Sequence, residues 1–210
     1  MIKAILFDYD GVIVDSFANV HQVYQTIADH FGLNCPTDLE EFRKFYGYSR
    51  IECEKNLGIL PDDREKVSEI FKWEIITKEH RIYPGIVEVI KNLFQDYKLY
   101  IVSAADNQEI LKNVNKFNLN KYWQKVYSTT LEKKKGHIIA EILADNNWRN
   151  QEAIYIGDRQ IDYDISKQAG LPDENIILVT YGWGLDLGKV GKSNIAHSPK
   201  EIEKIIKELK

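Results

Sequence analysis

Asp8 and Asp10 flank a single residue, directly after the short apolar run Ala4–Phe7. Two carboxylates this close repel each other unless something intervenes. A divalent cation is the simplest remedy, because hard cations take oxygen ligands. Gly11 follows, where a tight turn or a close backbone approach to a ligand would need it. Asp-x-Asp alone describes a turn with two solvated acids just as well, so the rest of the chain must decide. Gly157-Asp158 ends a second apolar run, and Asp162 comes four residues later. If a helix opens there, Asp158 and Asp162 sit on one side of it, and three or four carboxylates gather at one sheet edge. Asp164 fits an N-cap or a surface acid and stays outside this group.

Two further residue types suit the same chemistry. Ser103 ends a third apolar run, where a hydroxyl and the next backbone N–H could hold a phosphoryl oxygen. Lys135 stands just before the helical pattern Gly136-His137-Ile138-Ile139. A lysine there could reach the carboxylates and balance their charge. Lys133 and Lys134 leave the register of that lysine open.

The elements that must position these residues can be read from apolar patterning. Ala4–Phe7, Leu99–Val102, Ala153–Ile156 and Ile176–Val179 are short, rich in β-branched and aromatic residues, and bounded by polar or glycine-containing segments. Buried parallel strands have this character. Val126-Tyr127-Ser128 is a weaker fifth candidate. Between them Val87, Ile90 and Leu93-Phe94, then Ile138, Ile139, Ile142 and Leu143, recur at helical spacing. Ile202, Ile205, Ile206 and Leu209 do so at the end, preceded by Ser198-Pro199-Lys200-Glu201, which fits a capping box with proline at the first helical position. Strands alternating with helices predict an α/β fold with a mainly parallel sheet. From about Ser16 to Pro84 the alternation stops. Val20, Val23, Tyr24, Ile27 and Phe31 make one amphipathic helix and residues 65–78 another, so a helical insertion is expected there. Tyr83-Pro84-Gly85 reads as the turn back. In open parallel sheets ligands bind beyond the carboxyl ends of strands. The residues just past each strand are Asp8-Tyr9-Asp10-Gly11, Ser103-Ala104-Ala105-Asp106, Gly157-Asp158 and Thr180-Tyr181-Gly182.

In this order the pieces resemble the haloacid dehalogenase superfamily. Asp8-Tyr9-Asp10-Gly11-Val12-Ile13-Val14-Asp15-Ser16 looks like its first signature, Ser103 its second and Lys135 its third. Gly157-Asp158-Arg159-Gln160-Ile161-Asp162 is similar to its fourth. Tyr83-Pro84-Gly85 and Val179-Thr180-Tyr181-Gly182-Trp183-Gly184 look like the branch of phosphoglycolate phosphatases and β-phosphoglucomutases. The resemblance implies a Rossmann-like, doubly wound parallel core (residues 1–15 and 85–210) with a small inserted α-helical cap domain (16–84). It implies Mg²⁺-dependent hydrolysis of a small phosphomonoester. Asp8 would be the nucleophile and Asp10 the general acid and then base. Asp8, Asp10 (through its backbone carbonyl) and Asp158 would bind Mg²⁺, with Asp162 acting through water or orienting its neighbours. Ser103 and Lys135 would hold phosphoryl oxygens, with Gly11 and Ala104 beside the substrate. Haloacid dehalogenases proper lack an aspartate at the position of Asp10, so a phosphoryl substrate is preferred. Closure of the cap could desolvate Asp10 and raise its pKa enough for an acid to keep its proton at neutral pH.

In the cap, Phe45-Tyr46-Gly47-Tyr48-Ser49-Arg50 is similar to a stretch that faces the active site in the related phosphomutases. Arg50 is a candidate for a substrate anion, and equally a surface arginine paired with Glu54 one turn on. The mutases place a lysine where Tyr46 stands and a cap histidine one position out of register with His21, which favours hydrolysis over mutase chemistry. A sugar phosphomutase is the alternative, and a non-catalytic binding protein on this fold a remoter one. His21 and His80 are expected to be exposed. Trp183, between two glycines, either lines the entrance or anchors its loop. Phosphoglycolate, a sugar phosphate and a nucleoside monophosphate all remain open as substrates.

The bulk properties fit. The net charge of −4 over 210 residues disfavours nucleic-acid or anionic-membrane partners. Cys35 and Cys53, the only 2 cysteines, read as unpaired thiols. The N-terminus has no leader-like stretch and no run approaches a membrane span, so a cytoplasmic protein is expected. Nothing in the sequence gives the oligomeric state.

Overall fold

The computed structural model describes residues 1–130, 133–188, 190 and 194–209. Among these, the chain divides into two units, one of residues Met1–Asp15 with Ile82–Lys210 and one of Ser16–Arg81.

The first unit is built on strand β1 (Ala4–Phe7), whose four residues are all fully buried. It pairs in parallel with β4 (Lys98–Ser103) on one side and β6 (Ala153–Gly157) on the other. β5 (Trp123–Ser128) extends the sheet beyond β4, and β7 (Ile176–Val179) and β8 (Asn194–Ala196) extend it beyond β6. The order is β5-β4-β1-β6-β7-β8, with every pairing parallel. This is the doubly wound, Rossmann-like α/β architecture expected from the sequence. The chain runs outward from β1 through β4 to β5, then returns to the other side through β6, so the topological switch lies at β1.

Alternation along each strand explains why helices cover both faces. Ile5 and Phe7, Leu99 and Ile101, Ile154 and Ile156, and Ile177 and Val179 enter one core. There they meet Ile86, Val89, Ile90 and Leu93 of α5 (Ile86–Leu93), Ile110 and Val114 of α6 (Asn107–Lys116), and Ile202 and Ile206 of α9 (Pro199–Glu208). Leu6, Tyr100, Val102, Tyr155 and Leu178 face the other way. They pack on Ile138, Ile139, Ile142 and Leu143 of α7 (Lys135–Asp145) and on Tyr163 and Ile165 of α8 (Gln160–Gln168). Burial at about 25 cal/mol per Å² makes these two layers the main source of stability.

The fifth strand, weak in the sequence, is a full strand at the sheet edge, where Gln124 and Lys125 are exposed. The capping box expected at Ser198 differs from the pattern. Glu201 accepts the N–H of His197 at 2.9 Å and the Ser198 hydroxyl at 3.4 Å, while the Ser198 hydroxyl caps no backbone N–H. Proline does stand at the first turn, where its missing donor costs nothing.

The second unit holds four helices, α1 (Phe17–Phe31), α2 (Leu39–Tyr46), α3 (Arg50–Leu57) and α4 (Arg64–Thr77). Short side-chain caps start two of them. The Asp38 carboxylate accepts the N–H groups of Glu40 and Glu41, and the Ser49 hydroxyl accepts that of Glu52. Rings of Phe17, Tyr24, Phe42 and Tyr46 make its core. His21 and His80, expected to be exposed, are buried here. His21 lies 2.6 Å from the carbonyl oxygen of Pro36 and stacks on Phe42, and His80 meets the Asn19 amide at 2.9 Å. Each ring found a polar partner, which removes the penalty that would have kept it outside. Both cysteines are free. A two-residue ribbon, β2 (Val14–Asp15) with β3 (Arg81–Ile82), marks where the chain leaves and rejoins the α/β unit. Among the described residues no helix is long and apolar enough to cross a membrane.

Candidate active site

The site stands at the carboxyl ends of β1 and β6. The backbone N–H of Asp8 continues the ladder to the carbonyl of Ile156 at 2.8 Å, so Asp8 is held in the sheet itself. The chain then turns sharply. The N–H groups of Ile13 and Val14 both donate to the carbonyl of Tyr9, and the N–H of Gly11 donates to that of Val14. Gly11 adopts φ +75°, and a Cβ there would fall 1.9 Å from Oδ2 of Asp158, so only glycine fits. Asp10 sits half-buried in this turn, its backbone bridged to Val14.

Asp8, Asp158 and Asp162 converge, each offering an oxygen within 4.8 Å of the others, and all three are buried. Lys135 is the first residue of α7, which packs on the same face of the sheet as α8. Its ammonium lies 2.5 Å from Oδ2 of Asp8 and 2.8 Å from Oδ1 of Asp162. The sequence placed this lysine one residue before the helix and left its neighbours in contention. The geometry separates them: Lys133 pairs with Glu141 and Lys134 reaches the carbonyl of Thr130. Backbone groups and one phenol also donate to the carboxylates. Oδ1 of Asp8 accepts the N–H of Tyr9 at 2.7 Å, and Oδ2 of Asp158 accepts that of Trp183 at 2.6 Å. Oδ2 of Asp162 accepts the N–H groups of Asp158 and Arg159, at the start of α8, and its Oδ1 accepts the Tyr155 hydroxyl at 3.3 Å.

Electrostatics follow from three acids and one base in a buried space. Burial is the largest influence on Asp8 and pushes its carboxyl up to about 7; Lys135 opposes this, while Asp162 and Asp10 add to it. Burial also drives Asp158 well above the usual carboxylate range, with Asp162 and Asp8 adding and the Trp183 N–H opposing. For Lys135 burial works against the charge, but Asp162 and Asp8 outweigh it and hold the ammonium well above its ordinary value. One ammonium cannot neutralise three carboxylates. A hard divalent cation, which takes oxygen donors at close range, matches this donor set and its surplus of negative charge.

Ser103 ends β4 beside this edge of the sheet, buried, with its Oγ accepting the N–H of Ala105 at 3.2 Å. Its turn is tied down from β5, since the Ser128 hydroxyl donates to the carbonyl of Ala105 and the Thr129 N–H to that of Ser103. Ala104 is exposed in the same turn. Arg50 belongs to the helical unit. There its guanidinium pairs with Glu54 at 2.9 Å and lies over the Phe71 ring at 4.4 Å. Asp164 accepts the Gln160 amide and takes no part in the carboxylate cluster.

Tyr155 reads in the sequence as one more apolar strand residue, and nothing in the sequence marks the N–H of Trp183. Backbone donors carry no residue-type signal. Trp183 is buried, and its N–H bond to Asp158 anchors the loop between the two glycines.

Residues 5–173 match the family described as haloacid dehalogenase-like hydrolase. The phosphoglycolate phosphatase of Synechococcus elongatus is 23% identical over 187 residues, covering 88% of this chain and 85% of the relative. The pyrophosphatase PpaX of Listeria innocua is 28% identical over 176 residues, covering 80% of each. Among solved structures, a predicted phosphatase from Clostridium acetobutylicum superposes with a TM-score of 0.86 at 23% identity, over 99% of both chains.

Proposed function

This chain belongs to the haloacid dehalogenase-like hydrolases and is a phosphatase of that family, and we propose that it hydrolyses a small phosphomonoester by way of a phosphoryl group carried on Asp8. The observation that carries this reading is the ammonium of Lys135 held between Asp8 and Asp162, with Asp158 alongside.

Phosphoryl transfer demands in-line positioning and neutralisation of oxygen charge more than elaborate covalent chemistry. With Oδ1 on the Tyr9 N–H and Oδ2 on Lys135, the Asp8 carboxylate cannot rotate freely. An Asp8 oxygen attacks phosphorus, and the ester oxygen departs with a proton from Asp10. Asp10, now a carboxylate, takes a proton from water as that water attacks phosphorus, and Asp8 is released. Proton transfer by a placed carboxyl contributes typically 10²–10⁴-fold. Lys135 and Ser103 hold the non-reacting phosphoryl oxygens. Asp8, Asp158 and the Asp10 backbone carbonyl would hold Mg²⁺, with Asp162 behind them. The cation would supply the positive charge that offsets charge developing on the phosphoryl oxygens. Arg50, Gly11 and Ala104 are the residues proposed to meet the substrate.

Phosphate release from a panel of phosphorylated metabolites, with and without Mg²⁺, tests this reading. Magnesium-dependent release supports it, and the best substrate names the class. Interconversion of sugar phosphates without release would replace it with the mutase reading.

A further inference from the structure

Three loops of the α/β unit, those after β1, β6 and β7, meet around one oxygen of Asp158. The N–H of Trp183 donates to that Oδ2 at 2.6 Å. Gly182, one residue earlier, lies so close that a Cβ would fall 2.4 Å from Cβ and from Oδ2 of Asp158, and 2.5 Å from the carbonyl oxygen of Gly11. Its φ is not in the left-handed region, so contact rather than backbone conformation demands glycine there. Tyr181 completes the arrangement. Its phenol donates to the carbonyl of Val12 at 3.2 Å, and its ring meets Tyr83 edge-on with centroids 4.7 Å apart. The loop after β7 is therefore tied at Tyr181 to the turn that carries Asp10 and Gly11, and at Trp183 to Asp158.

We propose that Tyr181-Gly182-Trp183 is a positioning clamp that fixes the rotation of the Asp158 carboxylate against the turn after β1, and so sets the affinity of the site for a divalent cation. The proposal rests on the magnesium-dependent reading above. A carboxylate turns easily about its Cβ–Cγ bond, and one committed hydrogen bond to an immobile backbone N–H removes that freedom. The N–H is immobile because Gly182 is packed between Asp158 and Gly11 and because Tyr181 is bonded to Val12. Partners of this kind, behind the ligands themselves, typically change metal affinity 10–100-fold when lost.

Calorimetric titration of the metal-free protein with MgCl₂ tests the clamp without relying on turnover. Gly182→Ala, whose methyl must push Asp158 or the Gly11 carbonyl aside, is expected to weaken Mg²⁺ binding about tenfold or more. Tyr181→Phe keeps the ring against Tyr83 and deletes one hydrogen bond, and about a threefold weakening is expected, with the metal-free protein still folding cooperatively at a slightly lowered thermal midpoint. Should Gly182→Ala not fold, Tyr181→Phe decides alone. Wild-type affinity in Tyr181→Phe, or in a folded Gly182→Ala, would overturn the clamp and leave the phosphatase reading intact. No Mg²⁺ binding by the wild type would overturn both.

Discussion

The ammonium of Lys135, at the start of α7, lies 2.5 Å from Oδ2 of Asp8, at the end of β1, across 127 positions of chain. Both groups are buried, and the same ammonium is shared with Asp162. Removing one partner of such a pair is costly, because it leaves buried charge without compensation. Lys135→Met is therefore expected to lose about 10²–10³ in kcat and about 3 kcal/mol of stability at neutral pH. Asp8→Asn in the same chain should restore much of the stability and none of the activity. Urea denaturation of Lys135→Met and of the double variant beside the wild type measures this, and equal stability of the single and double variants would contradict it.

Asp10 is given the proton transfers, which sets a different pattern. Asp10→Asn keeps the size of the side chain and the turn around Gly11. A loss of about 10²–10⁴ in kcat with KM changed little is expected for a group that acts only in the chemical steps. Steady-state kinetics on the best substrate check it, and undiminished kcat would remove Asp10 from the acid–base role.

Gly11 makes a steric prediction. With φ at +75° and Oδ2 of Asp158 1.9 Å from where a Cβ would stand, Gly11→Ala must displace the carboxylate or the turn. Activity should fall at least about 100-fold, since a shift of about 1 Å at the reacting groups has that effect. The far-UV spectrum should stay that of the wild type, because the strands are untouched.

Glu109, which is not a member of the carboxylate cluster, gives a pH dependence of stability. It is buried on α6, and burial pushes its carboxyl from 4.5 up to about 8, with Asp106 adding and Lys112 opposing. The folded protein therefore binds this proton more tightly than the unfolded chain. Its contribution is fully present below about pH 4.5 and is lost as pH rises toward about 8. Glu109→Gln should flatten that decline and leave the variant more stable than the wild type at pH 9, by on the order of a few kcal/mol. Denaturation midpoints of both proteins at pH 6 and pH 9 provide the comparison.

What the sequence makes legible follows from which forces leave a residue-type trace. β1, β4, β6 and β7 are buried on both faces, so they read as apolar runs. β5 lies at the edge with Gln124 and Lys125 exposed, which blurs its pattern, and β8 has three residues, too few to register. Helix α6 buries Ile110 and Val114 but is otherwise mostly polar, so its periodicity is faint. At the site, the spacing of Asp8, Asp10, Asp158 and Asp162 after strands is visible in one dimension. The choice of Lys135 from three adjacent lysines needs the helix phase, which only packing of Ile138, Ile139 and Ile142 sets. Gly182 and the N–H of Trp183 act through shape and backbone, which no residue pattern announces. His21 and His80 of the helical unit went the other way, buried because Pro36 and Asn19 supply partners that the sequence does not reveal.

In the proposed reaction the phosphoryl group passes through Asp8. Acid quenching during turnover of the best substrate with Mg²⁺, followed by mass spectrometry of the peptide containing residues 4–16, detects such an adduct. A phosphoryl adduct on Asp8 in the wild type is expected, with neither adduct nor phosphate release in Asp8→Asn. Phosphate release that persists in Asp8→Asn would contradict the account.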